Sequence, residues 1–161
     1  MISIECETGE VVHLQVDTLE KADLKGYNLH RAILSGVNLR AANLQKADLR
    51  GAIFDDASLA EADLSESRMM NSWLRNADLT GAILTKARPI ATDFDGANLT
   101  KANLEGADIA WASFKAANLC DANMLCKRLE EANFEGAFYN LRTLWPRGFD
   151  PSKKGAILVN S

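Results

Sequence analysis

Cysteine, proline, histidine and aromatic residues are all scarce in this chain of 161 residues. Its three cysteines (Cys6, Cys120 and Cys126) are an odd number without CxxC spacing, which excludes a disulfide framework and a zinc-ribbon pattern. Two histidines, His13 and His30, leave little for a metal centre or a nucleophile–base pair. Aromatics make up only 7% against 47% hydrophobic residues in all, so the apolar content is small and aliphatic. No run approaches the 18 or so apolar residues of a membrane span. The start, Met-Ile-Ser-Ile-Glu-Cys-Glu, has neither a basic nor an apolar leader segment, and the expectation is a cytoplasmic chain with no membrane partner. A net charge of −4 argues against direct nucleic-acid binding and falls short of a polyanion.

What the chain has in abundance is a period of five. From Ala22 it reads ADLKG, YNLHR, AILSG, VNLRA, ANLQK, ADLRG, AIFDD, and it keeps that spacing to ANFEG at 132–136. The central residue of these 23 blocks is Leu in 15, Phe in 4, Met in 2, Ile in 1 and Pro in 1, with Ala two positions earlier in 17. Repetition of this kind marks a solenoid. On an α-helix a period of five winds the leucines around every side, and on a continuous strand it sends them alternately to opposite faces. Within a block, however, the Ala and Leu are two apart and share a face. A short extended piece followed by a corner in every block points them all inward, so the chain closes into stacked coils about 4.8 Å apart.

Tandem A(D/N)LXX blocks resemble the pentapeptide-repeat family. The resemblance implies an all-β fold, a right-handed quadrilateral parallel β-helix with four blocks per coil and about six coils. Residues 1–21 are expected to form an N-terminal hairpin cap, 22–136 the β-helix and 137–161 an irregular C-terminal cap around Trp145, Pro146, Phe149 and Pro151. A partner-binding role for either end is the alternative reading.

Candidate chemistry is sparse. The block-ending glycines suit corners and form no phosphate loop, and the Asp and Asn before each centre read as turn residues, not acid–base pairs. No catalytic, cofactor or metal residues are assigned. Cys120 and Cys126 fall at outward positions, whereas Lys127 falls at an inward one, so the Cys126–Arg128 segment is expected to be distorted.

Residues 20 apart stack on one face. The face centred on 34, 54, 74, 94, 114 and 134 has Phe at four levels, with Trp73 and an acidic stripe of Asp55, Asp56, Asp93, Asp95 and Glu135 outside, interrupted by Arg75 and Lys115. Some members of the family resemble duplex DNA in charge, bind DNA gyrase and confer quinolone resistance, so this stripe carries the alternative of a DNA mimic acting on a type II topoisomerase. The loop insertions and dimerising C-terminal helix of many such members are missing. The face centred on 29, 49, 69, 89, 109 and 129 departs most from the pattern, with Met69 and Pro89 as centres. Pro89 cannot donate to a ladder and suggests a bulge or an unpaired position. Outside it lie Met70, Ile90, Ala110 and Trp111, rimmed by Arg68, Arg88 and Arg128, the composition of a protein contact strip or else of local packing. The expected function is a non-enzymatic module, monomer or dimer, that binds a protein partner.

Overall fold

A computed structural model describes residues 1–160. Its elements are short because the chain turns after every block. Most centres donate their N–H to the carbonyl 19 residues on, as in Leu24 to Asn43 and Leu44 to Asp63, both within 2.8 Å. The residue before each centre donates 21 residues back, as in Asn43 to Ala22 at 2.9 Å. Together these bonds make parallel bridges between residues 20 apart, for instance Asp23–Asn43–Asp63–Ile83–Asn103–Asn123. Four blocks therefore carry the chain once around, and each level is bonded to the next.

The period states that the backbone bends but not how. At every corner from Lys21 to Asp121, and again at Gly136, one residue has positive φ, and only seven of these corners are glycine. The centre's carbonyl accepts the N–H three residues on, so each corner has the φ sign of a type II turn. Non-glycine residues such as Arg31, Asn71, Ala91 and Trp111 pay the steric cost of this region, of order 1–2 kcal/mol each. Asp and Asn before the centre relieve part of the turn's polar burden. Asp23, Asn28, Asn38, Asp78 and Asn98, among others, accept the N–H two residues on.

Inside, the centres and the alanines before them form one apolar column. Phe94, Phe114 and Phe134 stack at centroid spacings of 4.9 and 5.3 Å, and Leu74 separates them from Phe54. At the N-terminal end, β1 (Ile2–Glu5) and β2 (Val11–Leu14) form an antiparallel hairpin, and Glu5 accepts the Ile33 N–H at 2.7 Å. At the other end, β3 (Phe138–Tyr139) pairs in parallel with β4 (Ile157–Leu158), while Trp145 and Phe149 pack on Phe134 at 5.5 and 5.9 Å.

The spatial register slips where the sequence spacing does not. Asp108 bridges Lys127, one residue short of the usual 20, and the residue is recovered at a 3-10 turn over Leu129–Glu131. Lys127 thereby faces solvent, since a buried ammonium would lack compensation. Cys126 takes the inward place, contrary to its expected outward position. Its thiol contacts the Leu104 carbonyl at 3.4 Å, and burial pushes its pKa up to about 12.

Candidate protein-contact face

The strip face is built from the blocks at 27–31, 47–51, 67–71, 87–91, 107–111 and 127–131. Pro89 keeps the 20-residue register: Met69 still donates to Arg88, and Asn71 to Ile90 at 3.0 Å. There is no bulge; one rung is absent because proline has no N–H. Beneath it the usual inward alanines are replaced by Ser67, Ser72 and Thr92. Ser72 and Thr92 both donate to the Met69 carbonyl, at 2.7 and 2.6 Å, whereas the buried Ser67 hydroxyl has no hydrogen-bond partner among the described residues.

The predicted strip is not uniform. Met70 and Ile90 are half-buried, and Ala110 is fully buried, so it is not part of an exposed surface. Trp111 instead occupies the positive-φ corner one position further on, and there it is 65% exposed. The Arg128 guanidinium lies 5.7 Å from the Trp111 ring centroid and also forms a bidentate pair with Asp108. Arg128 beside it holds the Asp108 carboxyl below the usual carboxylate range, and Arg50 does the same to Asp48. Arg68 lies 3.6 Å from Asp48. Arg88, also exposed, has no carboxylate within 4.0 Å among the described residues.

The five residues of the acidic stripe share one face, but they do not act as one. Asp55 is bonded to Arg75, which also lies 5.3 Å from the Trp73 ring. Asp95 accepts the Ser113 hydroxyl and the Lys115 N–H. Down the outer column Asp55, Arg75, Asp95, Lys115 and Glu135 alternate in sign. Asp93 is half-buried, and desolvation together with the neighbouring Asp95 raises its pKa. Only Asp56, at a corner, and Glu135 stand exposed. Such alternation satisfies the face within itself.

His13 shares a hydrogen bond with the Ser3 hydroxyl on the hairpin, and His30 lies at a corner far along the chain from Cys120 and Cys126. Among the described residues no three His, Cys, Asp or Glu side chains gather as a metal site would, and no helix is long and apolar enough to cross a membrane.

The family model described as pentapeptide repeats matches eight copies, over residues 32–71 and 74–109. Among solved structures, the chain is similar to HetL, a pentapeptide-repeat protein involved in heterocyst differentiation regulation in the cyanobacterium Nostoc (27% identity, 85% of this chain and 64% of that one, TM-score 0.35). It is also similar to a pentapeptide-repeat protein of the Arabidopsis thaliana thylakoid lumen (31% identity, 68% and 59%, TM-score 0.35). A third is QnrB1, a plasmid-mediated fluoroquinolone resistance protein (21% identity, 87% and 79%, TM-score 0.42). The chain thus spans less than two thirds of the length of the first two. No curated protein matches it.

Proposed function

The chain belongs to the pentapeptide-repeat family, and on that premise we propose that it is a non-enzymatic, rigid surface for protein contact. The working face carries Met70, Ile90 and Trp111 with Arg68, Arg88 and Arg128. One observation carries this reading: a largely exposed indole is fixed at a backbone corner with a guanidinium over its ring. Tryptophan and arginine are the side chains that most often anchor protein interfaces. In the same proposal the body is a right-handed quadrilateral β-helix of about six coils over 22–136, capped by the hairpin of 1–21 and by the tail of 137–161. The bridges between residues 20 apart, the Glu5–Ile33 bond and the aromatic packing on Phe134 support it.

The test is recovery of a partner from the native cell. Trp111→Asp with Ile90→Asp is expected to abolish it while the thermal transition stays in place; unchanged recovery discards the face. Mimicry of DNA toward gyrase is the second reading, favoured only by the exposed Asp56 and Glu135. A supercoiling assay separates the two, and inhibition or drug protection at micromolar protein would reverse their order.

A further inference from the structure

The strip face differs in charge from the rest of the molecule. Its six blocks hold six Lys or Arg (Arg31, Arg50, Arg68, Arg88, Lys127 and Arg128) and four Asp or Glu, a net of +2. The remainder of the chain then carries −6 of the total −4. Of the four faces, this one alone is net positive. Both of its aspartates, Asp48 and Asp108, are already engaged by arginines of the same face.

Next to Met70 the face opens into a hollow of about 540 Å³, lined by Glu7, His30, Arg31, Arg50, Met70 and Trp73 among others. Gly51 makes the room. It occupies a corner column that otherwise carries Arg31, Asn71, Ala91 and Trp111, and a Cβ added there would meet the Arg31 Cγ at 3.2 Å. The hollow thus has two guanidiniums, an imidazole and an exposed indole on its walls, with a single acidic group, Glu7, paired to Arg31 at 3.2 Å. A volume of this size holds a side-chain or chain-end group.

We propose that the partner of this face is an acidic protein segment, and that one of its carboxylates seats in the hollow over Gly51 between Arg31 and Arg50. This rests on the protein-contact reading above. The carboxylate replaces Glu7 as the acceptor for Arg31, a neighbouring apolar residue of the segment covers Met70 and Ile90, and Arg88 meets a further carboxylate along the column. Charge complementarity selects an acidic occupant, and the apolar wall formed by Met70 and Trp73 selects a polypeptide over a nucleic acid.

The experiment uses the full chain and fluorescence anisotropy with a labelled peptide of alternating Glu and Leu. Its Gln–Leu counterpart and a single-stranded oligonucleotide of matched charge serve as comparison probes. The Glu peptide is expected to bind, and the Gln peptide about tenfold or more weaker, the effect of losing charge-assisted hydrogen bonds. Gly51→Asn fills the floor with a residue that Asn71 shows to be at ease at such a corner, and it is expected to weaken binding about tenfold. Arg50→Ala is expected to act in the same direction. Glu7→Gln frees Arg31 and is expected to tighten binding, a change that misfolding cannot produce. Equal affinity for the Glu and Gln peptides, no binding of the Glu peptide, tighter binding of the oligonucleotide, or indifference to both Gly51→Asn and Glu7→Gln would each overturn the proposal. If the native partner is lost with Trp111→Asp and Ile90→Asp but kept with Gly51→Asn and Arg50→Ala, this inference fails while the contact face stands.

Discussion

The face centred on Phe54, Phe94, Phe114 and Phe134 and the face centred on Leu49, Met69, Pro89 and Ile109 follow one another around every coil, and each is joined by its own column of bridges between residues 20 apart, broken on the second face after Arg88. Inside the first, rings stack at about the spacing of the levels and no polar group intrudes except Ser72 and Thr92 at its edge with the second. Outside, charges of opposite sign alternate down the Asp55–Glu135 column. The second face has a flexible Met and a proline as adjacent centres, three buried hydroxyls near them, and cations in excess outside. The backbone is set by the repeat alone, so each face is free to spend its side chains on cohesion or on contact. The first pairs its charges within itself and exposes only part of Trp73; the second leaves the more exposed Trp111, Arg88 and the hollow that Trp73 borders facing solvent.

Truncating each core is the strongest way to break this comparison. Phe114→Ala removes the middle ring of a stack and is expected to cost about 3–5 kcal/mol, read as a lower urea midpoint. Met69→Ala is expected to lie at the low end of about 2–5 kcal/mol, because an unbranched thioether fills its space less tightly. A larger loss for Met69 would show that the strip face, not the Phe face, holds the rod together.

The buried hydroxyls sharpen it next. Ser67 replaces an alanine of the column Ala47–Ala87–Ala107, and its oxygen is buried without a partner, a state worth about 1–3 kcal/mol. Ser67→Ala is therefore expected to raise stability in urea or thermal unfolding. Ser72→Ala, which removes a donor to the Met69 carbonyl, is expected to lower it by about 1 kcal/mol. If both changes act alike, the hydroxyls belong to one network and the assignment of Ser67 as unsatisfied is wrong.

The ladder was legible in the sequence because a period of five with Ala and Leu two apart encodes inward direction directly. The outer pairs Asp55–Arg75 and Asp108–Arg128 are also 20 apart, but in the sequence Arg75 reads only as a break in the acidic stripe and Arg128 only as part of a rim. Other features were hidden for physical reasons. The spacing reveals that a corner exists but says nothing of the sign of φ, so fifteen strained non-glycine corners went unread. The slip at Cys126 leaves the five-residue spacing intact; the inward lysine at 127 announced a distortion of Cys126–Arg128, which the structure bears out, but not that Cys126 would turn inward. Ala110 and Trp111 were read as neighbours on one strip, yet a single residue's difference at a corner separates a buried methyl from an exposed indole. The hollow over Gly51 has no signature beyond one glycine among seven similar ones.

The smallest expected effect concerns protons and runs in opposite directions on the two faces. Arg128 lowers the pKa of Asp108 in the folded chain, so the unfolded chain binds more protons near its ordinary pKa of about 3.9. The stability contributed by Asp108 is present above that value and is lost as pH falls through the lowered folded pKa. Burial and Asp95 raise the pKa of Asp93, so its contribution has the reverse sign, present below the unfolded pKa and lost as pH rises through the folded one. At pH 7, Asp108→Asn is expected to destabilise the chain by less than about 1 kcal/mol, the range of a partly exposed ion pair, and Asp93→Asn to stabilise it slightly. Below the ordinary carboxylate pKa of about 3.9 the Asp93 difference should vanish, whereas the Asp108 difference begins to shrink there and is lost only as pH falls through its lowered folded pKa. Thermal unfolding of the three proteins between pH 3 and 7 reads this directly. Parallel curves for the two variants would mean that the acidic face is as well neutralised at Asp93 as the strip face is at Asp108, and the electrostatic contrast between the faces would then rest on Arg88 and the hollow alone.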